Sequence, residues 1–374
     1  MDDFDAIRPY RDEEVPAVVA RLAEDLDFCH AAALFFLPRL TAGFPGLGQL
    51  LAGRHVRRKA ATLKTVRDVQ MLMSHYMDSL IERTIFDFTV DGLDRLAPGQ
   101  PYLFVSTHRD IMMDSGLMNF AIHRAGHETS RIAVGDNLLG NPYAADLMRL
   151  NKSFVVERSV TGTKAIYQAL CRTSAYIRSS LEAGASVWIA QREGRSKDGM
   201  DRTAPALIKM LALAHNGEMA GPGHLCERAR IVPVAITYEI DPCAPRKARE
   251  LYITDCEGAY DKPDGEDLAS IAEGMLGFKG RVHLHFGERV QGDFADAEAL
   301  ACEIDRRIVD GLKVFPTHLE AAQQAGLEEL PVAEPDDARI ALVFAEQVDN
   351  CPPPHRSYLF DQYANLVRNK QRFA

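Results

Sequence analysis

The sequence predicts an α/β fold: a mixed, largely parallel sheet covered by helices, with an N-terminal helical segment and C-terminal helices. Three observations carry this. From about residue 100, short apolar runs alternate with helix-length amphipathic stretches, the rhythm of strand–helix layering. Before about residue 95, and again after about 292, apolar residues recur at helical spacing. Several apolar runs end directly in charged residues, as strands do where they leave a sheet at its carboxyl edge.

Taken in order, Pro16 to Leu26 is amphipathic, with Val18, Val19, Leu22 and Leu26 on one side. Phe28 to Leu40 reads as a second, more apolar helix, and Gly43 to Gly48 as a break. A long helix is expected from Val66 to Arg83. Its stripe of Met71, Met73, Tyr76, Met77, Leu80 and Ile81 reads as core packing rather than a lipid-facing surface. Strands are expected at 101–107, 131–135, 153–157, 186–191, 230–238 and 281–286. Helices are expected at 141–150, 161–183, 202–216 and 265–275. Asp241 to Asp264, rich in Pro, Asp and Gly, reads as a surface excursion. After 292 the chain is helical again, divided at Pro331–Asp337 and Cys351–His355. Its last helix, Tyr358 to Phe373, turns Leu359, Tyr363, Leu366 and Val367 inward. The expected organisation is a helical segment over 1–95 with possible membrane contact, a catalytic domain over 96–292 and a helical extension over 293–374.

Composition excludes some functions. The formal net charge of −10 argues against a nucleic-acid partner, although Arg54, Arg57, Arg58 and Lys59 form a local basic patch. The seven cysteines are scattered and show no C-x-x-C, so neither a disulfide framework nor a zinc knuckle is expected and a reducing compartment fits. The acidic start Met-Asp-Asp-Phe-Asp is not a signal peptide. No apolar run reaches the roughly 18–20 residues that cross a bilayer, so any lipid contact is made from the surface.

The chemistry concentrates in Ser106-Thr107-His108-Arg109-Asp110-Ile111-Met112-Met113-Asp114-Ser115. A histidine leaves the end of an apolar strand, and Asp110 and Asp114 follow. A carboxylate beside an imidazole holds the ring proton on one nitrogen and leaves the other to accept a hydroxyl proton. Both aspartates are candidates for that role. His-Arg-Asp also opens the kinase catalytic loop, but the asparagine required there falls on Ser115, and no D-F-G or glycine-rich nucleotide loop accompanies it.

A second apolar strand ends in Gln191-Arg192-Glu193-Gly194-Arg195-Ser196. Its arginines, the backbone N–H groups around Gly194 and the Ser196 hydroxyl suit a phosphate or other anion. A third strand ends in Glu157-Arg158. In a parallel sheet these strand ends share one edge, so His108, Arg158 and Glu193–Arg195 are expected to converge.

Taken together these blocks, with Ile231-Val232-Pro233-Val234-Ala235, resemble the bacterial glycerolipid acyltransferases of the lysophosphatidic acid acyltransferase kind. That family shows, in order, strands ending in N-H-x4-D, F-I-x-R and F-P-E-G-T-R-S, then an apolar strand with V-P-V. The resemblance covers about residues 88–290 and is similar to a divergent branch with N-H-R-D-I-x-x-D-S and I-A-Q-R-E-G-R-x-K-D-G. This chain departs from the common pattern in three places. Five residues separate His108 from Asp114 instead of four, no threonine stands between Gly194 and Arg195, and Thr107 replaces the asparagine. The first departure keeps Asp110 open beside Asp114.

The resemblance implies that His108 deprotonates a glycerol-type hydroxyl, which attacks the thioester of acyl-CoA or acyl-carrier protein without an acyl-enzyme. It gives Arg158, Glu193, Gly194, Arg195 and Ser196 to substrate binding, with N–H groups near Gly194 facing the oxyanion. It calls for no cofactor and no metal. The acceptor is a lyso-phospholipid or glycerol phosphate, or alternatively a lyso-aminolipid. The expected location is cytoplasmic, peripheral on the inner face of the cytoplasmic membrane. Competing readings are a thioesterase or other ester hydrolase, a non-catalytic lipid binder, and a metal hydrolase using His108, Asp110 and Asp114 with His123 or His127.

Overall fold

The structure, a computed structural model, describes residues 4–215, 221–328, 330 and 337–373. The fold is α/β, and the described residues contain seven strands. In chain order they are β1 (Asp87–Asp91), β2 (Leu103–Ser106), β3 (Arg131–Gly135), β4 (Ser153–Val156), β5 (Val187–Ala190), β6 (Ile231–Tyr238) and β7 (Arg281–Phe286). The chain divides into two compact units. One comprises Met1–Tyr76 and Arg131–Thr173, the other Met77–Ser130 and Ser174–Ala374.

The first unit is mostly helical. Its helices include Val15–Glu24, Leu26–Phe36, Pro38–Gly43, Pro45–Ala60 and Pro142–Leu150, with β3 and β4 paired in parallel. The single helix expected over Phe28–Leu40 is two, because Pro38 pushes Leu37 out of helical geometry (φ −132°, ψ 48°). The break expected at Gly43–Gly48 shrinks to Phe44, since Pro45 suits the first turn of the next helix. Val15, Val18, Val19, Leu22, Val69 and Leu150 form one buried cluster. Asp146 accepts both arms of Arg21 (2.8 Å each) and the Tyr10 hydroxyl (2.7 Å). In the long Val66–Thr84 helix, Val69 and Leu80 are buried but Met71 is exposed, so the expected core stripe is only partly core. No described helix is long and apolar enough to cross a membrane.

In the second unit the strand order is β1-β7-β6-β2-β5. Every neighbouring pair is parallel except β6 and β7. β2 and β6 are buried along their whole lengths, as expected of strands covered on both faces. The carboxyl ends of β5, β2 and β6 therefore share one edge. β1 falls where only helix was expected; its short Asp-Phe-Thr-Val-Asp alternation is that of an edge strand. The expected surface excursion at Asp241–Asp264 contains the Ala244–Glu257 helix, which buries Ala244, Lys247 and Ala248. Helices Ala297–Gly311, Pro316–Gln324, Ala338–Asn350 and Arg356–Phe373 complete the unit. Leu359 and Tyr363 pack with Ala244, Ala248, Ala321 and Phe344 in one core. Nearly all of the expected divider at Pro331–Asp337 lies outside the described residues; Asp337 caps the helix that follows.

His318 is buried in this core, and its Nδ1 accepts the Phe315 N–H (3.0 Å). Burial, with the nearby Arg109 charge, holds its pKa down to about 3. The unfolded chain thus takes up a proton near pH 6.5 that the folded chain refuses, so this contribution is complete above 6.5 and is lost on acidification. His318→Gln removes that slope. Urea titrations should show the stability gap between wild type and variant narrowing by on the order of 2 kcal/mol between about pH 6.5 and about pH 4.5. Parallel curves would show that His318 carries no such linkage.

Candidate active site

β2 places His108. Its ladder to β6 continues past Ser106: Thr107 donates its N–H to Val234 O (3.1 Å) and accepts the Ile236 N–H on its hydroxyl (3.0 Å). The threonine is thus part of the strand end. The chain then turns, and the Met113–Arg124 helix begins. Asp110 caps it, its Oδ1 accepting the N–H groups of Met112 and Met113 (2.9 and 2.8 Å). Burial and the neighbouring Asp114 hold the Asp110 carboxyl above the usual range.

Asp114, the second helical residue, is fully buried. Its Oδ2 accepts His108 Nδ1 (2.9 Å) and the N–H groups of Arg109 (2.6 Å) and Asp110 (2.9 Å). Its Oδ1 accepts the Tyr238 hydroxyl (2.8 Å). With this acceptor on Nδ1, the ring proton belongs there and Nε2 presents a lone pair. The His108 side chain is 16% exposed, within reach of a substrate. Its ring lies edge-on to Trp188, centroids 5.6 Å apart. The two aspartates left open by the sequence are therefore placed differently: Asp114 on the imidazole, Asp110 on the helix start.

The turn after β5 is tied to the same histidine. Ser196 donates its N–H to His108 O (2.6 Å), so that N–H is not available to an oxyanion. Gly194 lies at φ +71°, a conformation that favours glycine, and Glu193 is exposed beside it. Arg195 is turned inward, its guanidinium donating to Ser270 Oγ (2.7 Å). Lys197 pairs with Glu250, and Arg192 reaches Asp198 only at 3.5 Å. The Gln191 side-chain amide and the Trp188 indole N–H are buried with no hydrogen-bond partner among the described residues.

A second ring of buried charge holds the turns. Arg109 pairs with Asp201. Lys247 donates to Arg109 O (2.7 Å) and pairs with Asp241. Burial raises the Asp201 carboxyl against the pull of Arg109. None of these was identified from the sequence. Tyr238 alone had a signal, since the two-residue period of β6 puts it on one face with Val234 and Ile236, at the carboxyl end. Arg158 belongs to the first unit, where its N–H and that of Ser159 bond the Asp136 carboxylate (3.1 and 2.9 Å). His123 and His127 belong to no cluster of potential metal ligands among the described residues. Clefts of about 640 and 830 Å³ lie elsewhere in the second unit, around His224, Glu227 and Arg289, and hold none of these groups.

Residues 87–237 match the family model described as Acyltransferase. No curated protein matches. Among solved structures, the 1-acyl-sn-glycerophosphate (LPA) acyltransferase PlsC from Thermotoga maritima is similar at 16% identity and a TM-score of 0.39. The match covers 74% of this chain and 90% of that one.

The Tyr238 hydroxyl is the sole donor to its Asp114 oxygen among the bonds described above. Tyr238→Phe should destabilise the fold by about 1–3 kcal/mol, because a buried carboxylate oxygen loses its partner. A urea midpoint equal to that of wild type would show the bond to be dispensable.

Proposed function

We propose, from the match of residues 87–237 to the Acyltransferase family model, that the protein is an O-acyltransferase that moves a fatty acyl group to a lipid-type hydroxyl. The donor is acyl-CoA or acyl-carrier protein, and the acceptor a lyso-phospholipid or glycerol phosphate. The observation that carries the reading is the Asp114–His108 pair at the carboxyl edge of β2 (2.9 Å).

His108 Nε2 takes the acceptor's hydroxyl proton as that oxygen attacks the thioester carbonyl. Asp114, fixed by its donors, supports the imidazolium that forms. The tetrahedral intermediate collapses, the carbon–sulfur bond breaks, and the departing thiolate takes the proton from His108. No acyl-enzyme is needed, and every proton is accounted for. The Gln191 amide and the backbone around Gly194 are donors for the oxyanion. Glu193, Arg195 and Ser196 shape the turn that receives the acceptor, and Arg158 is a further candidate substrate-binding residue.

Peripheral lipid contact fits the Pro45–Ala60 helix. Phe44, Leu47, Leu50 and Leu51 are exposed, and exposed Arg54, Arg57 and Arg58 follow one to two turns later. Exposed apolar residues followed by a basic end are the signature of a helix lying in an anionic interface.

His108→Ala should lower kcat/KM for acyl transfer by about 100- to 10,000-fold with an unchanged circular dichroism spectrum. The assay offers labelled acyl-CoA and acyl-carrier protein with a panel of lyso-lipids and identifies products by mass spectrometry. Retained turnover, or free fatty acid as the sole product of the wild type, would sink the proposal. Asp114→Asn should cost far more activity than Asp110→Asn, and the reverse order would move the supporting role to Asp110. For the lipid contact, the double variant Leu50→Glu with Leu51→Glu should no longer cosediment with anionic vesicles; wild-type binding by this variant would refute it.

A further inference from the structure

The β1–β7 edge carries a second cluster that acyl transfer does not use. Along β7 the two-residue period sends Val282, Leu284 and Phe286 to one face, all fully buried, and His283 and His285 to the other. In the parallel register with β1, Thr89 stands opposite His283 and Asp91 opposite His285. The Thr89 hydroxyl hydrogen-bonds His283 Nδ1 at 2.8 Å, which fixes the ring and turns Nε2 outward. That nitrogen faces Asp91 Oδ2 at 3.6 Å. The His285 ring packs against Gly311, where a Cβ would stand 2.4 Å from its Cδ2, so glycine is what leaves room for the imidazole. One donor atom from each of Asp91, His283 and His285 lies within 4.8 Å of the others.

The geometry points to a binding site for a divalent transition-metal ion of zinc-like character at Asp91, His283 and His285. The Asp91–His283 separation is too long for a hydrogen bond. It is close to the span of about 3.4 Å between two ligands on a tetrahedral ion with bonds near 2.1 Å. Two imidazoles and one carboxylate select zinc, cobalt or nickel over magnesium and calcium, which prefer all-oxygen sites. The Thr89 bond to the far nitrogen of His283 is the orienting partner that metal-bound histidines usually have. Arg95, Lys313 and Lys370 act on the cluster as positive charges and Asp310 as a negative one. The ion would join edge strand β1 to β7.

The full-length chain, stripped with a chelator and dialysed, is titrated with Co²⁺ and then with Zn²⁺. One equivalent of Co²⁺ should bind with a visible d–d band, be displaced by Zn²⁺ and raise the melting temperature. Asp91 is exposed, so Asp91→Ala keeps the fold and should weaken Co²⁺ binding by at least about tenfold; Thr89→Val, which frees the ring, should weaken it by about tenfold as well. Three results would overturn the assignment. They are no uptake by wild type, equal uptake by wild type and Asp91→Ala, or an intense near-ultraviolet thiolate-to-cobalt band that places the ion on a cysteine.

Discussion

The buried carboxylate of Asp114 is the constraint on which the rest of the site depends. An ionised group withdrawn from water must be compensated by hydrogen bonds. Here the compensation comes from three directions: the His108 ring, the backbone of Arg109 and Asp110, and the Tyr238 hydroxyl. The end of β2, the start of the Met113–Arg124 helix and the end of β6 are thereby tied to one pair of oxygens. The position of the imidazole follows from where that carboxylate can be satisfied. Its place in the first helical turn adds the favourable field of the helix N-terminus.

Around this centre a further layer of buried polar groups fixes the two turns without adding much net stability. Buried ion pairs such as Arg109–Asp201 and Lys247–Asp241 lose in desolvation much of what they gain in attraction. Their effect is geometric. Lys247 holds the Arg109 carbonyl, Arg195 holds Ser270, and Ser196 holds the His108 carbonyl. The turn after β5 is therefore not a free basic loop. Its arginine nearest the glycine is committed inward, which leaves less cationic charge at the surface of the turn than its sequence implies.

Much of this was legible in the sequence. Six strands matched apolar runs, most clearly β2 and β6, which are buried along their whole lengths. β1 did not, since an edge strand of alternating Asp, Phe, Thr, Val and Asp is short and half-polar. The Ala244–Glu257 helix was hidden by the prolines and acidic residues around it, and with it Lys247 was missed. His108 and its two candidate carboxylates stood out because proton-transfer chemistry needs those residue types close together. Tyr238, Asp201 and Lys247 are brought to the site by topology: Asp201 meets Arg109 across 92 positions, Tyr238 meets Asp114 across 124, and Lys247 meets Arg109 across 138. No local pattern announces Asp201 or Lys247, and Tyr238 shows only the two-residue period it shares with Val234 and Ile236 in β6.

The spacing from His108 to Asp114 shows where local pattern and physical constraint separate. Five intervening residues look one too many beside the common four. The chain absorbs the difference in the turn: Asp110 caps the N–H groups of Met112 and Met113, the helix starts at Met113, and Asp114 arrives one position into the first turn. The same carboxylate oxygen then accepts the imidazole and the two backbone N–H groups that the longer turn brings round. What the chemistry fixes is the place of the acceptor relative to Nδ1, not the count of residues between them. A turn with its own internal cap can lengthen while that place is kept, and a motif defined only by spacing misses the chains in which this has happened.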